Sequence, residues 1–304
     1  MTIHTLRNAR LAVNFDPDGA RMRSVHLDDG PNLVLDVSDT TTQALRDAYG
    51  GAIVGPLANR VRDGRVLIYD VTYQMPRNEK SVTALHSGPE GLDRIRWTVA
   101  EYSSDRLLLK HHLPAGHGGL PGNRDIAALF SVDKNSLVLH ISMTTDAPTP
   151  ASIAHHPYWR VTSAHRLKIH AEAYLPTDDA NLPTGQIATV AGTSFDHRTP
   201  RAIAAGTDHN YCIATSRRPA PARVAELVTT HAILHIDSTE PGLQAYSGAY
   251  LPQIPAAGIG PFLGIALEPQ GWPDAVNTPH FPSVIVTADH PYAQTTKYTL
   301  HSAT

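Results

Sequence analysis

Five polar segments of the chain place potential acids, bases and hydrogen-bonding groups beside turn-forming residues. In chain order, the segments read GPLANRV, ALHSG, AHHPYW, GTDHNY and ALEPQGWPDAVN. They include a carboxylate, Glu268, and an imidazole, His156, which are side-chain types that transfer protons near neutral pH. No two segments are adjacent in sequence, so the fold has to bring them together before they can act jointly.

Glu268 stands at the end of an apolar run. Residues 264–267 read Gly-Ile-Ala-Leu, and Pro269 follows the glutamate, so the carboxylate ends a strand that is predicted to be buried. A buried glutamate is often a paired structural residue, but buried acids with perturbed pKa values also mark active sites. Both interpretations of Glu268 stay open on this run alone.

The adjacent His155 and His156 raise the question of a metal site. Zinc ligands usually recur at spacings such as His-Glu-x-x-His, and this spacing does not occur in the chain. The single cysteine, Cys212, excludes thiol-rich metal sites and an internal disulfide framework. Neighbours on a strand point to opposite faces, so only one of the two imidazoles is expected to face a ligand. We therefore expect no metal at this pair of histidines.

Short strands are the elements that must position these groups. Period-two alternation is clearest in LVLHISM, residues 137–143, where the odd positions are all apolar. Similar runs separated by Gly, Pro, Asn and Asp occur at residues 65–73, 106–113, 232–237 and 283–287. Helical periodicity is scarce, and its best candidate is residues 38–49, which begin with Ser-Asp.

The distribution of turn residues predicts the fold class. Twenty-four prolines and twenty-one glycines are spread along the chain, and neither a linker nor a fixed-period repeat is evident. This pattern predicts an all-β protein, a large antiparallel β-sandwich in which residues 1–304 form a single domain and loops shape a cleft.

Composition limits the partners and the compartment. The formal net charge is -3 and 17% of residues are charged, so nucleic acid and anionic membranes are not expected partners. The amino terminus lacks an apolar signal-peptide core, and no stretch reaches a membrane-spanning length. With one cysteine in the chain, we expect a cytoplasmic protein.

Seven motifs follow one another along the chain. They are Gly51, Ile53, Val54 and Gly55 with Ala58, Asn59, Arg60 and Val61; Leu85, His86, Gly88, Gly91, Asp93 and Trp97; Gly119, Pro121 and Gly122; His155, His156, Pro157, Tyr158 and Trp159; Asp208, His209 and Asn210; Gly242, Leu243, Gln244 and Tyr246; and Leu267, Glu268, Pro269, Gln270, Pro273, Asp274, Ala275, Val276 and Asn277. In this order they resemble the aldose 1-epimerase (galactose mutarotase) family, from about residue 14 to residue 300.

The resemblance implies a fold, an activity and a set of site residues. The fold would be the galactose mutarotase-like supersandwich with few short helices, and the protein a monomer or homodimer. The activity would be interconversion of the α and β anomers of a free aldose. Glu268 would be the general base at the anomeric hydroxyl and His156 the general acid at the ring oxygen. Sugar hydroxyls would be held by Asn59, Arg60, His86 and Asp208.

The chemistry of ring opening agrees with these residue types. Opening a cyclic hemiacetal requires removal of the C1 hydroxyl proton and delivery of a proton to the ring oxygen, which one base and one acid accomplish without a cofactor. The pair can work near neutral pH if burial raises the pKa of Glu268 and a neighbouring carboxylate keeps His156 charged. Stacking of a sugar ring on Tyr158, Trp159 or Trp272 is as plausible as a core role for these aromatics.

Three departures from the family pattern leave the substrate open. Pro56, Ser87 and Pro157 stand where the family more often has other residues, and all three flank the expected cleft. The alternatives are an epimerase of a phosphorylated hexose, an isomerase of another hemiacetal-like compound, and a non-catalytic carbohydrate-binding module of the same fold. His155 replaces a residue that is usually Asn and is expected to be structural.

Overall fold

Strands make up most of the regular structure in the computed structural model, which describes residues 2–37 and 43–303. The strands are β1 (His4–Arg7), β2 (Leu11–Asp16), β3 (Arg21–Leu27), β4 (Ile53–Val54), β5 (Arg60–Arg62), β6 (Arg65–Ile68), β7 (Val71–Gln74), β8 (Thr83–Leu85), β9 (Thr98–Tyr102), β10 (Arg106–Leu113), β11 (Arg124–Asp133), β12 (Ser136–Thr145), β13 (Thr149–Pro150), β14 (Ala154–His155), β15 (Tyr158–Arg160), β16 (Arg166–Ile169), β17 (Ala173–Tyr174), β18 (Ala188–Thr189), β19 (Asp208–Cys212), β20 (Ala222–Val228), β21 (Ala232–Ser238), β22 (Gly242–Tyr246), β23 (Gly264–Gln270), β24 (Ile285–Val286) and β25 (Tyr292–Ser302). The helices are α1 (Gln43–Arg46) and the short 3-10 turns Gly88–Glu90, Leu92–Arg94, His117–Gly119, Pro255–Ala257 and Ala275–Asn277.

Two large antiparallel sheets dominate the arrangement. The larger has eight strands in the order β16-β20-β21-β25-β12-β11-β10-β9, and the smaller has six in the order β15-β23-β22-β19-β17-β18. A three-stranded sheet, β1-β2-β3, and several two-stranded pairs complete the fold. The expected all-β fold, a large antiparallel β-sandwich, is confirmed.

One hydrophobic core joins the two large sheets. In β12, Leu137, Leu139 and Ile141 are buried while His140 faces the exposed side, as the alternating pattern predicts. Residues from the inner face of the six-stranded sheet, such as Leu243 and Leu267, belong to the same buried cluster. Burial of this much apolar surface is the main source of stability, and it fixes which face of each strand is left for polar groups.

Several of the sequence-predicted elements are confirmed and others are wrong in detail. The run at residues 106–113 is β10, and residues 232–237 lie in β21. Residues 65–73 do not form one strand but the hairpin β6–β7, because Tyr69 adopts a positive φ of 51° and turns the chain. Of residues 283–287, only β24 is a strand.

The expected helix at residues 38–49 is observed only in part. Within it, α1 comprises Gln43–Arg46, and the Ser-Asp start lies outside the described residues. In the described part of the chain, no helix combines the length and the apolar character needed to cross a bilayer.

The outer face of the six-stranded sheet carries a row of polar side chains. In the ladder, Asn210 of β19 pairs with Gln244 of β22, which pairs in turn with Glu268 of β23. Asp208 precedes Asn210 by two residues and therefore lies on the same face, opposite Tyr246. Because Leu243 and Leu267 fill the inner face, register alone directs these polar groups outward.

Candidate active site

A cavity of about 350 Å³ lies over this polar face. Its volume falls in the range of small-molecule sites. Its wall is formed by Asp47, Ala48, Tyr49, Asn59, Arg60, Glu79, Lys80, Leu85, His86, His156, Tyr158, Asn181, Asp208, Tyr246, Tyr250, Leu251 and Glu268. The structure thus brings together all six side chains that the sequence singled out, from segments more than 200 residues apart.

Glu268 and His156 meet in the buried part of the cavity. His156 Nε2 lies 3.4 Å from Glu268 Oε1, and the two residues are only 4% and 1% exposed. The backbone of His156 is held on both sides, because its N–H donates to Ala52 and its carbonyl accepts from the N–H of Gly51. Among the described residues, His156 Nδ1 and Glu268 Oε2 have no hydrogen-bond partner. A ligand in the cavity can therefore engage the carboxylate without displacing a protein group.

Burial sets the proton affinities of this pair. Loss of hydration raises the pKa of Glu268 well above its ordinary value, and the nearby Asp208 carboxylate raises it further while Arg60 opposes. Burial lowers the pKa of His156 to about 4, although Asp208 acts in the opposite direction. One condition for proton transfer near neutral pH, a raised pKa of Glu268, is thus met. The other, a carboxylate that keeps His156 charged, is not met, because desolvation outweighs the effect of Asp208 on the pKa of His156.

In the state that burial favours, Glu268 and His156 share one titratable proton, and it lies on Glu268. Protonated Glu268 with neutral His156 has the same net charge as carboxylate with imidazolium, so a proton can move between the two arrangements without burying a net charge.

His86 is fixed as a hydrogen-bond donor. Its Nδ1 accepts the backbone N–H of Asn59 at 3.1 Å, so the ring hydrogen is assigned to Nε2. Burial, followed by the nearby His156 and Arg60, lowers the pKa of His86 well below its ordinary value, and the ring is neutral. Asn59 reaches this position because it adopts a left-handed backbone with φ of 65°, which asparagine tolerates.

A metal ion fits this group poorly. His86, His156 and Glu268 each offer an atom within 4.8 Å of the others. A metal requires a lone pair from each imidazole, but the lone pair of His86 is on Nδ1 and is occupied by the Asn59 amide. The three groups suit hydroxyl oxygens, which accept and donate hydrogen bonds, better than a cation.

Arg60 and Asp208 form an ion-pair network in the wall. Arg60 donates from Nε and Nη2 to the two oxygens of Glu79, at 2.9 and 3.0 Å, and from Nη1 to Asp208 Oδ2 at 3.1 Å. Gln244 Nε2 donates to Asp208 Oδ1 at 2.6 Å. Both carboxylates are anchored, and the guanidinium keeps hydrogens on Nη1 and Nη2 that can reach a ligand.

Other residues that the sequence raised lie elsewhere. Trp159 packs against Tyr298 in the core, Trp272 against Phe281, and of the three aromatics only Tyr158 lines the cavity. His155 faces the core, where its ring bonds to Tyr298 and to the Gly51 carbonyl, as expected of a structural residue.

The three departures from the family pattern also do not line the cavity. Pro56, Ser87 and Pro157 are all absent from its wall. The Ser87 hydroxyl is buried and bonds to the backbone of Leu57. The sequence predicted that these three residues flank the cleft and leave the substrate open. Because none of them lines the cavity, none is placed to contact a substrate directly.

Sequence reasoning missed several wall residues. Glu79 belongs to none of the five polar segments, and it reaches Arg60 through the return of the chain between β7 and β8, where its backbone pairs with Thr83. Tyr49 packs against His86 with ring centroids 4.6 Å apart and the rings inclined at 60°, and Tyr250 also lines the cavity. The only sequence signal for Glu79 is its acidic side chain a few residues before the ALHSG segment.

The fold and the site define a class of protein: a β-sandwich with a buried carboxylate and imidazole in contact in the wall of a cavity. The sequence model of the aldose 1-epimerase family matches residues 2–299. Galactose mutarotase of Rattus norvegicus is 30% identical, over 96% of this chain and 91% of the relative. Aldose 1-epimerase of Escherichia coli K12 is also 30% identical, over 91% of this chain and 88% of the relative.

Solved structures show the same fold. An aldose epimerase homologue from C. elegans superposes with a TM-score of 0.89 at 23% identity, over 100% of this chain and 99% of the other. Galactose 1-epimerase from Lactobacillus acidophilus gives a TM-score of 0.83 at 24% identity, with 99% and 94% covered. The chain belongs to the aldose 1-epimerase family, and it is therefore an isomerase of the carbohydrate-epimerase class.

Proposed function

We propose that Glu268 and His156 are the acid–base pair with which this enzyme interconverts the α and β anomers of a free aldose. The observation that carries the proposal is their 3.4 Å approach, buried in the wall of the cavity and with a carboxylate oxygen left unpartnered by the described residues. Two proton-transfer groups in contact are what a hemiacetal requires, since one proton leaves O1 as another reaches the ring oxygen.

The proposed reaction moves one proton through each residue. The carboxylate of Glu268 takes the proton from the C1 hydroxyl while the imidazolium of His156 gives one to the ring oxygen, and the bond from C1 to that oxygen breaks. The open-chain aldehyde then rotates about the bond from C1 to C2. Reclosure on the other face reverses both transfers, and the pair returns to its starting state.

Burial favours the protonation state of the open-chain complex. At that stage Glu268 is protonated and His156 is neutral, which is the distribution that burial favours in the free protein. Ring opening starts from the opposite arrangement, so the proton must first move from Glu268 to His156, and opening of the ring then restores the favoured arrangement.

The remaining wall residues would hold sugar hydroxyls. His86 presents a fixed N–H, and Arg60 presents guanidinium hydrogens that Glu79 and Asp208 leave free. Asp208 can accept a sugar hydroxyl on a carboxylate that Gln244 already orients. Asn59 lines the same part of the wall, and side chains held this way keep the ring aligned with the acid–base pair.

The wall argues against a phosphorylated hexose. A phosphate site needs at least two basic groups free to donate. The basic wall residues are Arg60, which is shared by two carboxylates, and Lys80. We rank an uncharged aldose above a sugar phosphate for this reason.

Polarimetry tests the proposal. Fresh α-glucose, α-galactose or xylose should reach its equilibrium rotation faster with the protein than in buffer, and glucose 6-phosphate should not. His156→Asn should slow the preferred sugar by roughly a hundredfold or more, because one proton-transfer group is lost. Sugar binding in a calorimeter without acceleration of any sugar would instead indicate a non-catalytic carbohydrate-binding protein.

The setting in which the enzyme acts is also part of the proposal. We propose a cytoplasmic enzyme that works as a monomer or homodimer on a small sugar, without nucleic acid, and that folds as one domain over residues 1–304. The lone Cys212 supports a reducing compartment, and the family match over residues 2–299 supports a single domain.

A further inference from the structure

Glu79 lines the cavity and forms an ion pair with Arg60. It makes a two-point ion pair with Arg60, and Thr83 Oγ1 donates a further hydrogen bond to it at 2.7 Å. The side chains of Arg60 and Glu79 are 10% and 25% exposed, so solvent screens this pair less than a surface pair. Burial would raise the pKa of Glu79, but the hydrogen bonds and charge of Arg60 lower it overall, so the residue is ionised at neutral pH.

The pairing changes the charge that Arg60 presents to a ligand. Asp208 alone would balance the guanidinium, and Glu79 adds a second carboxylate, so that the three side chains together carry a net negative charge. A cavity of about 350 Å³ is about 9 Å across if taken as a sphere, comparable to the Debye length at physiological salt. Any charge on a bound sugar therefore lies within range of this cluster.

We propose that Glu79 is a specificity-determining residue that excludes anionic aldoses, such as uronic acids, from the site. The proposal rests on the proposed function and names its substrate class as uncharged. Glu79 acts in two ways: it occupies the two guanidinium donors that would otherwise bind a carboxylate or phosphate, and its charge repels such a group.

The test compares two substrates that differ only in charge. D-Glucuronate and D-glucuronamide share a carbon skeleton, and only the first is an anion; the galacto pair replaces them if galactose is the preferred sugar. The quantity measured is kcat/KM for mutarotation of the acid divided by that of the amide. Because both values come from one protein sample, the ratio does not depend on the fraction that is folded.

Glu79→Gln should raise this ratio about fivefold to tenfold at low ionic strength, because one negative charge is removed within a few ångströms of the ligand. Glu79→Asp, which keeps the charge, should leave the ratio within about twofold of the wild-type value. Asp196→Asn breaks a similar two-point pair with Arg198 outside the cavity wall and should leave the ratio unchanged.

The wild-type protein supplies a second test that needs no variant. Raising the salt concentration to about 1 M should raise the acid-to-amide ratio, because salt screens the repulsion. A ratio unchanged by Glu79→Gln, or one that falls with salt in the wild type, would overturn the proposal. A wild-type protein that accelerates neither the amide nor glucose or galactose would instead contradict the proposed function.

Discussion

At the scale of single residues, burial decides how Glu268 and His156 share their proton. The sequence predicted the two residue types, and it named a raised glutamate pKa as a condition for their chemistry. It did not predict a neutral imidazole, because the outcome depends on how completely His156 is desolvated, and the sequence does not specify this. The same holds for His86, whose role as a donor follows from one backbone contact with Asn59.

The pH dependence of kcat/KM follows from these shifts. The active pair holds one proton; the profile should fall at low pH as His156 gains a second proton, with a midpoint near its pKa of about 4. It should fall at high pH as protonated Glu268 loses the only proton, well above the ordinary glutamate value. Asp208→Asn removes a charge that raises both pKa values, so both limbs should move to lower pH.

Measurement of the initial mutarotation rate at low sugar concentration across pH checks this profile. The pH positions of the two limbs can be compared even if Asp208→Asn also weakens sugar binding, because weaker binding lowers the height of the profile. A high-pH limb that moves upward in the variant would contradict the assigned role of the Asp208 carboxylate.

Metal removal should leave the activity unchanged. The His86 lone pair is engaged by the Asn59 amide, so the cluster of His86, His156 and Glu268 lacks the three free donors that a bound ion requires. Dialysis against EDTA, with the metal content measured before and after, should therefore not alter the polarimetric rate. Loss of activity that returns with an added divalent ion would show that this assignment of donors is wrong.

At the scale of elements, strand register and one close backbone contact at Gly51 position the proposed catalytic groups. The ladder from β19 through β22 to β23 places Asn210, Gln244 and Glu268 in a row. His156 comes from outside this sheet and is tied in by Gly51, whose N–H donates to the His156 carbonyl at 2.8 Å. Gly51 has a φ of 68°, and a Cβ there would lie 2.1 Å from the carbonyl oxygen of Met22.

Gly51→Ala should destabilise the protein by about 3 kcal/mol or more, since backbone strain and a clash with fixed backbone add together. The midpoint of thermal unfolding should fall by about 5 °C or more, and kcat should fall because His156 shifts. Gly192→Ala is the matched control: its φ is 75°, but no atom lies within 4 Å of the added carbon. Equal losses of stability in the two variants would show that the contact between Gly51 and the Met22 carbonyl is not tight.

At the scale of the whole molecule, the sequence predicted the fold class and six residues that line one cavity, but not how these residues interact. Alternation in residues 137–143 predicted a strand with one buried face, and the order of seven motifs grouped all six site residues. Glu79 escaped notice because a single acidic residue in a loop has no periodic signal. Its role depends on a long-range contact with Arg60, and the sequence does not report such contacts directly.

Glu268→Gln decides whether Glu268 transfers the anomeric proton. Glu240→Gln is the control, because Glu240 is equally buried but pairs with Arg217 outside the cavity wall. Polarimetry of the preferred sugar, at equal concentrations of folded protein, should show kcat lowered about a thousandfold by Glu268→Gln. Glu240→Gln should retain most of the wild-type kcat. A Glu268→Gln enzyme that keeps more than about a tenth of the wild-type kcat would contradict the assignment of the base.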